Sequence, residues 1–219
     1  MNLQEYKALF LVVTGVLALL VASPVLQRLL VYPQTEFFTE MWLLGPGHMA
    51  EDYPFNITRN QIYNVSLGIA NQLGQCAYYV VEVKFRNQTE SAPDSFNRTA
   101  SSLPSLYSFN VFVADKESFE LPLSFSFDYL NGTYTEIYTV TYNETYSETY
   151  NETLSQVNFN SMVLNGAALD LRGHSTVWNS TTSRFFGNLI FELWIYNGTT
   201  GAFQYHERYT DLKFNMTVS

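Results

Sequence analysis

Ten Asn-x-Ser/Thr triplets stand in this 219-residue chain, beginning at Asn56, Asn64, Asn87, Asn97, Asn131, Asn143, Asn151, Asn179, Asn197 and Asn215. None carries Pro at its middle position. The chemistry this triplet permits is transfer of an oligosaccharide to the Asn amide nitrogen, and the transferase works on the outer side of a membrane. All ten follow one N-terminal apolar segment. The residues beyond about 33 are therefore expected outside the cell, carrying covalent N-glycans.

Other residue types that do chemistry are sparse. The three histidines are His48, His174 and His206, and no two share a metal-ligand spacing on one element. His206 beside Glu207, with Glu192 nearby, is the one candidate metal set, and a structural histidine is the simpler reading. Glu192 and Glu207 could also form a carboxylate pair across a hairpin, but a flat sheet face is not the cleft that glycoside cleavage needs. No nucleophile elbow, phosphate loop or H-E-x-x-H occurs. Gly45-Pro46-Gly47-His48 reads as a turn. The lone cysteine, Cys76, excludes an internal disulfide and reads as a small buried apolar group. No catalytic, cofactor or metal residue is assigned, and the chain is read as non-enzymatic.

Strands must position whatever the chain presents. Tyr63, Val65, Leu67 and Ile69 alternate with Asn64, Ser66, Gly68 and Ala70, which predicts a strand with one buried and one wet face. Tyr79, Val81, Val83 and Phe85 alternate likewise, with residues 71–77 between the two runs as a hairpin connection. Residues 108–114 and 119–129 are further strand-like runs. Asn131-Gly132 predicts a tight turn. After it comes a repeat, Tyr142-Asn-Glu-Thr, Tyr146-Ser-Glu-Thr and Tyr150-Asn-Glu-Thr. Thr, Asn and Ser are poor helix formers, so the repeat reads as an extended strand within a glycosylated extension over 131–157. Short strands with turn signals between them favour an antiparallel β-sandwich.

The last hairpin is the clearest local prediction. Residues 189–196 go out, 197–202 turn, and 203–209 return, with 212–216 continuing. Pairing Tyr196 with Phe203 puts Trp194 opposite Tyr205 and Glu192 opposite Glu207. One face then carries Trp194, Tyr196, Phe203 and Tyr205, a candidate binding face that a second sheet, the loop over 86–104 or the membrane-proximal segment could instead cover. The other face pairs Leu193 with His206 and Phe191 with Arg208. Gln204, His206 and Arg208 on that apolar face predict a buried, hydrogen-bonded polar knot. A bulge would exchange these assignments.

The apolar run from Ala8 to Leu26 spans about 28 Å as a helix, which suits a single membrane span. Arg28 can reach the headgroups and Tyr32 suits the interface. The run is longer than a signal-peptide core, and Pro24 follows the best cleavage site. An uncleaved anchor over 1–33 is therefore expected, N-terminus inside, ahead of an extracellular domain over 34–219. A net charge of -9 argues against nucleic acid as a partner.

Two blocks resemble a known family. One is Thr35-Glu-Phe-Phe-Thr-Glu-Met-Trp-Leu-Leu-Gly-Pro with Ala50-Glu-Asp-Tyr-Pro-Phe-Asn and the run from Tyr63 to Asn71. The other is Phe191-Glu-Leu-Trp-Ile-Tyr-Asn with Phe203-Gln-Tyr-His-Glu-Arg and Leu212-Lys-Phe-Asn-Met-Thr. Together they resemble the archaeal membrane-protein family of domain of unknown function 1616. The resemblance implies a membrane-anchored protein with an immunoglobulin-like outer domain, and it brings no catalytic residue. The expected fold is mainly β: a transmembrane helix, then an antiparallel Ig-like sandwich with a long hairpin extension. The expected role is a structural or protein-interaction role in the cell envelope, among other envelope or membrane proteins. A carbohydrate-binding module is the alternative, and an envelope-polymer hydrolase the remote one.

Overall fold

The computed structural model describes residues 3–29, 37–143 and 146–218. The chain divides into two compact units, Met1–Phe37 and Phe38–Ser219. The first contains α1 (Leu3–Leu29). Its described side chains are those of residues 6, 7 and 9–21. Among the described residues, no helix is long and apolar enough to cross a membrane. The outer part of the predicted anchor, including the Arg28 side chain, Tyr32 and the boundary at residues 33 and 34, lies outside the described residues.

The second unit is a two-sheet sandwich. Its strands are β1 (Phe38–Leu44), β2 (Asn56–Ile57), β3 (Tyr63–Gln72), β4 (Ala77–Arg86), β5 (Tyr107–Val113), β6 (Ser118–Asn143), β7 (Tyr146–Leu164), β8 (Ala167–Asp170), β9 (Ser175–Val177), β10 (Phe186–Asn197) and β11 (Ala202–Met216). One sheet runs β1-β3-β6-β7-β8, with β9 also on β7, and the other runs β2-β11-β10-β4-β5. Every pairing is antiparallel except that of β2 with β11. Alternation along each strand aims one set of side chains between the sheets. There Phe85 of β4 meets Phe159 of β7 at 4.7 Å and Phe127 of β6 at 5.8 Å, and Phe127 meets Phe214 of β11 at 5.3 Å. Burying such a ring contributes about 1.5–3 kcal/mol.

Residues 71–77 do not close a hairpin. They carry the chain from β3 in one sheet to β4 in the other, and β3 takes β1 and β6 as neighbours. The crossing is organised by Asn71, which is fully buried. Its Nδ2 donates to the carbonyls of Gln75 (2.7 Å) and Val113 (2.9 Å). Its Oδ1 accepts from the amide of Leu73 and the hydroxyl of Tyr79. Cys76, in this connection, is exposed rather than buried. The outer face of β3 is also less wet than alternation predicts. Ser66 and Ala70 are buried, and a Cβ at Gly68 would lie 2.0 Å from Trp42 Cε2 of β1. The indole occupies the space that the missing side chain leaves.

Asn131-Gly132 is not a turn. Both residues lie inside β6, opposite Val157 and Gln156. Asn158 Nδ2 stands 2.6 Å from where a Gly132 Cβ would be, so this glycine serves a close side-chain approach within a strand. The reversal comes later, between Asn143 and Tyr146, which pair with each other. The Tyr-Asn-Glu-Thr repeat is therefore folded across two strands rather than extended along one. Beyond Gly132 the pair continues as a two-stranded ribbon about 34 Å long by strand rise. Cross-strand partners share a face. Tyr138 stacks on Tyr150 at 5.6 Å on one side, and the Thr139 and Thr149 hydroxyls meet at 3.3 Å on the other. Tyr150 also hydrogen-bonds Glu148, and this contact, with Tyr142, pushes its phenol up to about 12.

Two outcomes follow from this architecture. Asn71→Ala leaves several buried partners unpaired and is expected to lower unfolding stability by about 3 kcal/mol in urea titrations. Replacing residues 135–153 by Asn-Gly removes side chains that, where described, are mostly exposed. It is expected to change the sandwich's stability by less than about 0.5 kcal/mol in the same measurement.

Candidate functional site

The glycan acceptors differ in accessibility. Asn56, Asn64, Asn97, Asn131, Asn151 and Asn179 are exposed, Asn87, Asn197 and Asn215 are half-buried, and the Asn143 side chain lies outside the described ones. Local bonds engage several acceptor nitrogens. Asn87 Nδ2 donates to the Ser175 carbonyl at 3.0 Å, Asn197 Nδ2 to Gln204 at 3.0 Å, and Asn215 Nδ2 to Asn56 at 3.2 Å. Asn97, through its backbone and side-chain amides, holds the Asp94 carboxyl below the usual carboxylate range.

The outward face of the β2-β11-β10-β4-β5 sheet carries the candidate binding residues. Tyr196 faces Phe203 and Trp194 faces Tyr205 as predicted, with ring centroids 5.5 and 5.6 Å apart. β4 and β5 enlarge the group. Tyr78 stacks on Phe112 at 4.2 Å with an interplanar angle of 12°, and reaches Phe203 at 5.3 Å and Tyr196 at 6.2 Å. Phe112 is 69% exposed and Tyr196 43%, so this end of the sheet is open. Trp194 is half-buried, its Nε1 enclosed with no hydrogen-bond partner among the described residues. Tyr78 and Phe112 went unassigned in the sequence because they face each other on β4 and β5, far along the chain from the last hairpin. Their signal is alternation: both fall out of phase with the buried residues of their strands.

The other end of the same face is covered. Residues 87–106 form a loop over it. Ser101 N–H donates to Glu192 Oε1 at 2.8 Å, and Lys84 Nζ donates to the Ser101 carbonyl at 3.3 Å. Ser95 donates to the Tyr209 hydroxyl, and Arg98 stands 3.4 Å from Glu207. Beneath the loop Lys84 donates to Glu192 Oε2 at 2.8 Å and lies 3.2 Å from Glu82. Lys84 is 3% exposed and Glu192 fully buried. Burial and the nearby Glu192 charge push the Tyr205 phenol up to about 12.

This geometry corrects the register at Glu192. The pairing shifts between Leu193 and Trp194, so Leu193 faces Arg208, Phe191 faces Thr210 and Glu192 faces Tyr209. His206 and Glu207 form the bulge, with Glu207 at a φ of 56°. Glu192 and Glu207 are therefore not a carboxylate pair: one is sealed against Lys84, the other exposed beside Arg98. Glu192 and His206 lie on opposite faces of the sheet, which removes the metal set proposed for them. Among the described residues no group of three His, Cys, Asp or Glu side chains converges. His48 bonds Glu120 at 3.1 Å, and His174 packs edge-on against Phe85.

The polar knot forms in part and is not buried as predicted: His206 is half-buried and Arg208 exposed, and both reach Thr39 of β1. His206 Nε2 meets Thr39 Oγ1 at 2.7 Å, and Arg208 Nε donates to the Thr39 carbonyl at 3.2 Å. Gln204 does not join; it is exposed and accepts from Asn197. Thr39 Oγ1 is also 2.9 Å from Tyr79 Oη, which donates to Asn71. One donor direction satisfies the whole line, from His206 through Thr39 and Tyr79 to Asn71.

The fold and site define a two-sheet β domain of chiefly antiparallel strands with an open aromatic face. The chain belongs to the family described as Domain of unknown function (DUF1616), which it matches over residues 33–161, more than half its length. The match contains the first resembling block and stops short of the second. No curated protein matches the chain significantly.

Burial, and secondarily Arg208, pulls the His206 imidazole below its ordinary value. The unfolded chain then takes up the proton first, so stability is intact above pH 6.5 and falls as pH drops through it. Thermal melts from pH 8 to 5 should show this decline, and His206→Gln should flatten it.

Proposed function

We propose that this protein is a membrane-anchored, N-glycosylated cell-surface component whose work is non-catalytic protein interaction in the envelope. The observation that carries the reading is the open ring cluster of Tyr78, Phe112, Tyr196 and Phe203. Rigid aromatics gathered on one sheet face supply large contact area at low entropic cost, and such patches mark interaction sites. One sequon, Asn197, adjoins the cluster at the hairpin tip. The nearly unbroken apolarity of Ala8–Leu26 within α1 supports the anchor, and the ten acceptor triplets downstream support an external domain with the N-terminus inside. The order β1-β3-β6 against β11-β10-β4-β5 supports an Ig-like reading of the sandwich, with β7, β8 and β9 as an addition.

Stacked, exposed rings also favour carbohydrate binding as a second reading, since the same platform can stack on sugar. The test uses protein from its own host's membranes. Attached sugars at the exposed sequons and digestion by externally added protease are expected; unglycosylated, protease-sealed protein would remove the surface role. A Phe112→Ser, Tyr196→Ser variant of unchanged fold should bind the partner recovered with the wild type at least tenfold more weakly. Unchanged partner binding would sink the interaction face, and loss of glycan-array binding instead would favour the sugar reading.

A further inference from the structure

Lys84, Glu192 and Glu82 form a constellation that an ion pair alone does not require. Glu82 and Glu192 are directly opposed across β4 and β10, and Lys84 stands two residues along β4 on the same face. Its amine lies 2.8 Å from Glu192 Oε2 and 3.2 Å from Glu82 Oε2. The loop over 87–106 seals the pair from water and aims two groups into it. The Ser101 N–H points at Glu192 Oε1, and the Ser101 carbonyl holds the amine. A nucleophile, a carboxyl carbon and a donor for the developing oxyanion are thus assembled in a dry site, with a second, half-buried carboxylate at its edge to carry protons.

We infer that this site forms an intramolecular isopeptide bond between Lys84 and Glu192. Proton transfer along the 2.8 Å hydrogen bond first converts the ion pair into an amine and a carboxylic acid. Lys84 Nζ then attacks Glu192 Cδ, and the new C–N bond places negative charge on Oε1, which the Ser101 N–H stabilises. Glu82 accepts the proton released from the nitrogen and delivers it to the Oε2 hydroxyl. The Cδ–Oε2 bond breaks and one water leaves. The products are a neutral amide, water and an unchanged Glu82, so atoms and charge balance without any co-reactant. Condensation also abolishes two buried charges whose desolvation is costly. The cross-link would tie β4 to β10 at the centre of one sheet, giving the domain a covalent tie that its single cysteine cannot supply.

The test is mass spectrometry of the full chain, produced in a host without N-glycosylation, solubilised in detergent and shown by circular dichroism to be folded. The intact protein should weigh one water less than its sequence. Its tryptic digest should show no cleavage after Lys84 and a branched peptide joining the segments that contain Lys84 and Glu192. Lys84→Arg, which keeps the charge, should restore the full mass with the fold unchanged. Glu82→Gln should also restore it, because the proton carrier is gone. Folded wild-type protein of full mass that yields two linear peptides would overturn the bond. A cross-link persisting undiminished in Glu82→Gln would overturn the role given to Glu82.

Discussion

The contact of Phe85, Phe127, Phe159 and Phe214 between the two sheets is the constraint on which the rest hangs. It joins β4 and β11 of one sheet to β6 and β7 of the other. Strand side chains alternate, so fixing which residues of these four strands point inward also fixes what their other faces show. Phe85 turned inward means Tyr78, Glu82 and Lys84 turned outward. The aromatic cluster and the sealed Lys84–Glu192 pair are both consequences of that one packing decision.

The same sheet face serves two opposite ends. At one, residues 87–106 fold back and enclose charged groups with backbone partners. At the other, no segment among the described residues lies over Phe112 and Tyr196. Leaving rings of this size in water forfeits stabilisation that burial would provide. The long β6–β7 ribbon has a different character. Its described side chains are mostly exposed, and Tyr138 with Tyr150 and Thr139 with Thr149 meet across the strands outside the core between the sheets.

A bulge shifts the pairing of β11. Alternation alone puts His206 and Arg208 on one side and Tyr205 and Tyr209 on the other; the bulge changes which residues of β10 they face. The residue that absorbs the difference, Glu207, takes a left-handed backbone conformation that costs about 1–2 kcal/mol. The line from His206 through Thr39 and Tyr79 to Asn71 recovers part of that cost by satisfying buried polar atoms on both sheets.

Local alternation determined much of this protein. The strands around Tyr63, Tyr79, Ser108 and Leu189 and the final hairpin with its Tyr196–Phe203 and Trp194–Tyr205 pairs were legible, because each depends on neighbours a few residues away. What crosses between distant segments was decided only by the tertiary structure. Nothing near residues 71–77 distinguishes a hairpin from a crossing between sheets; that depends on whether β3 finds β6 or β4. Asn131-Gly132 carries a turn signal, yet the cross-strand pairing of β6 with β7 overrides it and places the reversal inside the repeat. The join of Lys84 to Glu192, 108 positions apart, and of His206 to Thr39, 167 apart, has no local signature. Periodicity sets which way a side chain points, but only packing sets what it meets.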